Sequence, residues 1–201
     1  TAASLFDGHD AAINVMRRVL QSAGVEVVHL GHNRSVEEIV TAAIQEDADA
    51  IAVSSYQGGH LEYFGYMVSM LRERGGQDIR VFGGGGGVIV ADEIVALHAA
   101  GVTRIYSPED GQALGLRGMI DDMLSRCEPL PRNEFSLDQL AARSDRELGR
   151  LISGLTNGAE HAERLAADIS ERSAQHKKAP VIGITGTGGA GKSSLTDELI
   201  R

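Results

Sequence analysis

The chain has one cysteine, Cys127, in 201 residues. A single thiol cannot build an internal disulfide framework, and such usage fits a reducing cytosol. Lysine occurs only at 177, 178 and 192, and the formal charge is −9. No basic face can be assembled from so few, which argues against a nucleic-acid partner. Tryptophan is absent and other aromatics are scarce, although the apolar content is ordinary for a globular chain. No apolar run approaches a membrane span, and no signal-peptide pattern precedes the first apolar segment. A cytoplasmic protein without a membrane partner is expected. Thr1 is not a natural start, and residues from 2 onward already read as strand, so the amino end reads as that of a fragment.

What is present alternates. Residues 2–6 read as a strand, and 11–22 as a helix with Ile13, Met16, Val19 and Leu20 on one face. Residues 25–30 read as the second strand. Ser35 with Glu38 three positions on makes a capping box for the next helix. Residues 50–54 form a continuous apolar run, as expected of a strand covered on both faces. A helix over 61–74, a strand over 79–82, a helix over 92–99, a strand over 104–106 and a helix over 111–126 complete the series. Five strands interleaved with five helices predict a doubly wound, five-stranded parallel sheet, and the candidate ligand residues falling at strand ends point to a flavodoxin-like order. Pro129 and Pro131 mark a break, so residues 1–128 are expected to form one domain. Residues 129–178 read as a helical linker that must bury a stripe including Leu137, Leu140, Leu148, Leu151, Ile152 and Leu155 against another body. Its pattern resumes with Ala162, Leu165, Ala166 and Ile169. Glu160, Glu163, Asp168 and Glu171 read as its solvated face.

Two motifs carry chemistry. The run Leu5-Phe6-Asp7-Gly8-His9-Asp10 places a histidine where the first strand meets the first helix, with a carboxylate two residues before it. That arrangement presents one imidazole nitrogen to a metal while the other is held by an acceptor. Residues 83–87 are five consecutive glycines, which strand propensity does not favour. At the carboxyl end of a strand in an open sheet, they mark a close approach of a ligand to backbone. The second motif is Gly186-Thr187-Gly188-Gly189-Ala190-Gly191-Lys192-Ser193, which fits a P-loop in full between an expected strand over 180–185 and a helix. Backbone N–H groups over Gly188, Gly189, Ala190 and Gly191, followed by Ser194, would hold phosphate; Lys192 would reach the β/γ oxygens and Ser193 a Mg²⁺ ion. Residues 179–201 therefore read as the start of a truncated P-loop GTPase domain. Without the rest of its sheet, the loop over 186–191 is expected to be incompetent for tight nucleotide binding.

The first motif, together with Ser54-Ser55-Tyr56 and the glycine run, resembles the base-off/His-on cobalamin-binding domains of acyl-coenzyme A mutases and methionine synthase, over residues 2–126. The resemblance implies that His9 replaces the cofactor's dimethylbenzimidazole as lower cobalt ligand and that Asp7 hydrogen-bonds its far nitrogen. The benzimidazole tail would thread a slot beside the sheet, with Ser54 near its base and Gly84 and Gly85 letting it pass. Gly8, Asp10, Tyr56, Gly58 and Gly59 are further expected cofactor contacts. Ala12 stands where the family has glycine, and Tyr56 where it has leucine, so the slot must be shaped differently there.

Residues 147–198 resemble the amino-terminal part of G-protein metallochaperones that serve such mutases. Joined, the two segments resemble mutases fused to their metallochaperone. This implies adenosylcobalamin-dependent radical isomerisation of an acyl-coenzyme A, isobutyryl to n-butyryl, with the substrate held by a domain outside this stretch. It also implies GTP and GDP as ligands with Mg²⁺, a cobalamin-loading adenosyltransferase as partner, and a homodimer. A corrinoid carrier or cobalamin-sensing module is the alternative reading, and the P-loop weighs against it. A receiver-like domain ranks last, since the fifth strand lacks a lysine. Among the other histidines, His29 and His32 read as solvent-facing or hydrogen-bonded, His98 as helix surface, and His60 either as lining the corrin face or capping a turn.

Overall fold

The computed structural model describes residues 1–8, 10–127, 137, 144–156, 162–175 and 180–200. The chain divides into two compact units, Thr1–Ala162 and Glu163–Arg201. The first is built on β1 (Ala2–Ser4), β2 (Gly31–Arg34), β3 (Ala50–Ser54), β4 (Arg80–Gly84) and β5 (Arg104–Tyr106). All ladders are parallel and the order is β2-β1-β3-β4-β5. This is the expected doubly wound order, with its switch point between β1 and β3.

Side-chain alternation splits the strands between two layers. Ile51, Val53 and Val81 pack with α2 (Val36–Gln45), α3 (His60–Glu73) and α4 (Ala91–Ala100). Ala50, Ala52 and Phe82 face α1 (Asp10–Ser22) and α5 (Pro108–Ser125). The capping box of α2 forms as expected: Glu38 N–H donates to Ser35 Oγ, and Ser35 N–H donates back to Glu38 Oε2 at 2.9 Å. A second box, Ser107 with Asp110, starts α5 behind Pro108.

Several expectations are corrected. The second strand lies over 31–34 rather than 25–30. Leu30 N–H donates to Thr1 O, so residues 25–27 run upstream of the first β1 residue and have no β1 backbone to pair with. Val25 and Val27 instead pack on the α1/α5 side. The fourth strand runs on into the glycines, because Gly83 and Gly84 pair with both β3 and β5. The last helix breaks at Gly115, where φ is 63° and ψ 174°.

Helix α6 (Asp145–Thr156) packs on α2 in the first unit, and of its expected apolar stripe only Leu151 is buried. Leu148, Ile152 and Leu155 stay exposed, while Arg146, Gly149 and Leu151 are buried. A Cβ on Gly149 would come within 2.8 Å of Gln45 O, so only glycine permits this approach to the end of α2. Arg146 Nη2 donates to both Asp78 carboxylate oxygens at 2.6 Å and fixes the helix from the same side. Leu140 lies outside the described residues.

In the second unit, α7 (Ala162–Ala174) continues from the end of the first, and α8 (Lys192–Ile200) starts at the P-loop lysine. The strand expected over 180–185 does not form: among the described residues no segment offers it a ladder. Residues 188–190 make a turn. Lys192 Nζ donates to Gly186 O at 2.9 Å and Thr187 O at 2.7 Å, closing the loop on itself. Ser193 and Ser194 are exposed at the start of α8.

Candidate cofactor site

Between α1, α5 and the carboxyl ends of β3 and β4 lies a cavity of about 410 Å³. Ile13 and Met16 form one wall, Met119 and Met123 the other, and the β4 glycines the floor. None of its lining side chains is charged. Strand alternation explains the floor. Phe82 and Gly84 face this side, and a Cβ on Gly84 would stand an ordinary 3.4 Å from Tyr106 O, so a longer side chain there would fill the slot. Gly83 and Gly85 answer to the protein itself. A Cβ on Gly83 would meet Phe64 Cζ at 2.6 Å on the opposite face, and one on Gly85 would lie 2.2 Å from Ser55 O. Tyr56 lines the slot, and a Cβ on Gly86 would come 2.4 Å from its Cε1. The glycine run thus makes room for a ring larger than leucine.

Four polar side chains reach the slot. Ser107 Oγ is occupied as the α5 cap, and Tyr106 donates its hydroxyl to Asp122 at 2.9 Å. Burial, and then that bond, pushes the Tyr106 pKa up. Tyr56 contributes its ring. Ser54 is 7% exposed, and its Oγ has no hydrogen-bond partner among the described residues. An orphaned hydroxyl buried in an apolar slot costs about 1–3 kcal/mol, a deficit that a bound acceptor would remove. These residues fit a flat, uncharged heteroaromatic group.

Asp7 lies beyond the end of β1 and is 1% exposed. Its Oδ2 accepts from Tyr56 N–H at 2.7 Å, which ties the carboxylate to the chain leaving β3. The turn before it is held by Asn33: Phe6 N–H donates to Asn33 Oδ1 at 2.8 Å, and Asn33 N–H to Asp7 O at 3.3 Å. Gly8 is exposed with open space around it. His9 lies outside the described residues. Asp10 supplies the first residue of α1. Gly58 and Gly59 form the turn into α3, the latter with φ 83°, and do not line the slot.

His60, expected either to line the corrin face or to cap a turn, is 3% exposed and bonded through Nδ1 to Ser55 Oγ at 3.2 Å. Ser55 Oγ in turn accepts from Ser4 Oγ at 3.0 Å. No sequence signal marks this buried polar chain, because Ser4 and Ser55 are ordinary strand-end serines. His29 Nδ1 lies 3.0 Å from Thr1 Oγ1, and His32 is exposed. His98 is on the α4 surface, yet its Nε2 accepts from Ile105 N–H at 3.1 Å, a link that helical periodicity could not reveal. Burial, followed by the Arg104 and Arg126 charges, lowers its pKa.

The family model described as "B12 binding domain" matches residues 1–114. The matched segment holds the whole parallel sheet and the floor of the apolar slot at the carboxyl ends of β3 and β4. The chain belongs to the B12-binding domain family. It is 64% identical over its whole length to "Fused isobutyryl-CoA mutase" of Cupriavidus metallidurans, covering 18% of that protein. A protein of the same name from Geobacillus kaustophilus is 57% identical over the whole chain and 19% covered. The "2-hydroxyisobutanoyl-CoA mutase small subunit" of Aquincola tertiaricarbonis is 38% identical over 99 residues, which are 49% of this chain and 71% of that one. Among solved structures, a cobalamin-binding protein from Desulfitobacterium hafniense superposes with a TM-score of 0.51 at 20% identity, over 64% of this chain and 57% of that one, and so shares the fold. The chain spans about a fifth of the length of the fused relatives that it matches end to end. Among the described residues, no helix is long and apolar enough to cross a membrane.

Proposed function

We propose that this chain is the cobalamin-binding region of an adenosylcobalamin-dependent acyl-coenzyme A mutase, converting isobutyryl- to n-butyryl-coenzyme A. The observation that carries the reading is the uncharged slot whose floor is bare backbone at Gly84 and whose buried Ser54 Oγ has no partner. His9 would hold the cobalt, and Asp7, itself held by Tyr56 N–H, would accept from the imidazole nitrogen left free by the metal. Such a carboxylate partner fixes the tautomer and raises the basicity of a metal-bound imidazole. Ser54, Tyr56, Gly84 and Gly85 form the channel for the displaced benzimidazole, while Gly8, Asp10, Gly58 and Gly59, outside the slot, would contact other parts of the cofactor. When bound, adenosylcobalamin supplies a carbon-centred radical from its cobalt–carbon bond; the chain's own task is ligation and orientation.

Residues 1–128 form the cobalamin domain in this reading, 129–178 a helical linker, and 179–201 the start of a GTP-hydrolysing metallochaperone domain. Lys192, Ser193 with Mg²⁺, Ser194 and the amides of 188–191 hold the nucleotide there. Support comes from the fit to the P-loop pattern and from a helix that starts at Lys192. The acyl-coenzyme A binds a domain outside this chain. The complete protein is a cytoplasmic homodimer served by an adenosyltransferase.

Electron paramagnetic resonance of bound cob(II)alamin, with the protein labelled by ¹⁵N-histidine, tests the ligand assignment. Doublet superhyperfine splitting that disappears in His9→Ala is expected. Triplets from the cofactor's own base would overturn it.

A further inference from the structure

His60 is a buried titratable residue to which the proposed function assigns no task. It opens α3 and is 3% exposed, and Ser4 and Ser55 beside it are each 2% exposed. The three side chains form one line: Ser4 Oγ donates to Ser55 Oγ at 3.0 Å, and Ser55 Oγ lies 3.2 Å from His60 Nδ1. With Ser4 donating into it, the Ser55 hydroxyl gives its own hydrogen to Nδ1 when the ring carries its proton on Nε2.

Ser55 is therefore anchored from three elements. Its side chain is tied to β1 through Ser4 and to α3 through His60, and its N–H donates to Gly84 O at the end of β4 at 2.8 Å. Those anchors fix the peptide that joins Ser55 to Tyr56. The N–H of that peptide is the donor that holds Asp7 Oδ2 at 2.7 Å. Loosening Ser55 turns this N–H away from a carboxylate that is itself 1% exposed.

We infer that His60 is a positioning residue for the cobalt ligand. Through Ser55 it sets the peptide that orients Asp7, and through Asp7 the imidazole of His9. The inference rests on the assignment of His9 as lower ligand. His60 acts two hydrogen bonds away from the carboxylate. Residues that orient a ligand from behind carry about 10- to 100-fold in metal affinity when removed, and one placed a step further back belongs at the low end of that range.

The test is made on the full-length protein, with cob(II)alamin as probe and no activity measurement. His60→Ala is expected to lower cob(II)alamin affinity about tenfold and to turn part of the ¹⁵N-histidine doublet into a spectrum without protein-nitrogen splitting. His60→Asn, which keeps an amide atom near the Nδ1 position, is expected to restore most of the doublet. Should His60→Ala fail to fold, Ser55→Ala removes the same contact at the cost of one oxygen and carries the same expectation. Leu97→Ala, in the core under α4, serves as a control that lowers stability and leaves the doublet whole. A full doublet and unchanged affinity in both His60→Ala and Ser55→Ala would overturn the inference while leaving His9 as ligand. Triplets in the unsubstituted protein would overturn the ligand assignment and this inference with it.

Discussion

The two faces of the sheet are covered by the same kind of amphipathic helix, and they end up differently. The face under α2, α3 and α4 is closed: Phe64, Met67, Leu97 and Val81 are all 2% exposed or less, and Gly83 is glycine because Phe64 occupies the space. The face under α1 and α5 carries a smaller buried cluster around Phe82 and Ile120, and beside it about 410 Å³ is left open. Identical residues at neighbouring positions serve opposite ends. Gly83 makes room for the protein's own side chain, and Gly84 makes room for something else. An apolar cavity of this size forfeits packing that its walls would otherwise gain, so a fold selected for stability alone would fill it.

Filling it is the strongest way to break the comparison. Gly84→Leu should abolish cobalamin binding while the chain stays folded, because its Cβ meets only an ordinary contact. Gly83→Ala should do the reverse, destabilising the chain by about 1–3 kcal/mol through overpacking against Phe64 and Ile105. Urea unfolding and a cobalamin titration on both variants check the pair. If both lose binding in proportion to lost stability, the two faces are not functionally distinct.

Ser54→Ala sharpens the contrast with opposite signs in one variant. Its Oγ is buried without a partner, so its removal should leave the apo chain as stable or more so. Affinity for cobalamin should fall roughly tenfold, the worth of about one hydrogen bond in a buried site. Equal affinity would show that the hydroxyl faces nothing in the complex.

The smallest expected effect lies at the edge between the faces, where His98 Nε2 accepts from the β5 residue Ile105. A protonated ring cannot accept that bond, and the pKa of His98 is lowered in the fold from the usual 6.5. Its contribution is therefore present in full above 6.5 and lost as pH falls through the lowered folded value. The urea midpoint should decline over that window, and His98→Gln should flatten the decline. An identical pH profile in the variant would assign the decline to other groups.

Much of this was legible from residues alone. An apolar run located β3, and the Ser35–Glu38 pair located the start of α2, because these signals depend on local spacing. The parallel sheet followed from the alternation of elements, and its order from the expected ligand residues falling at strand ends. What escaped depends on partners far along the chain. β2 is set by where β1 offers backbone, and Gly83 and Gly84 are strand because β3 and β5 flank them, against their own propensity. The docking side of α6 is chosen by Gly149 and by Arg146 finding Asp78, so Leu151 is buried while Leu148, Ile152 and Leu155 of the same stripe remain exposed. At the site, the sequence pointed to Asp7, Ser54 and Gly84. The distinction between Gly84 and Gly85, and the Ser4–Ser55–His60 line, required coordinates.

The central claim is that the open face receives the benzimidazole tail of cobalamin while a protein histidine takes its place on cobalt. The most direct measurement compares the affinities of cobalamin and of cobinamide, the same corrin without its nucleotide tail. Cobalamin binding far tighter than cobinamide, with the difference erased in Gly84→Leu, is the predicted result. Equal affinities in the unsubstituted protein would contradict the account, since the slot would then contribute nothing to holding the cofactor.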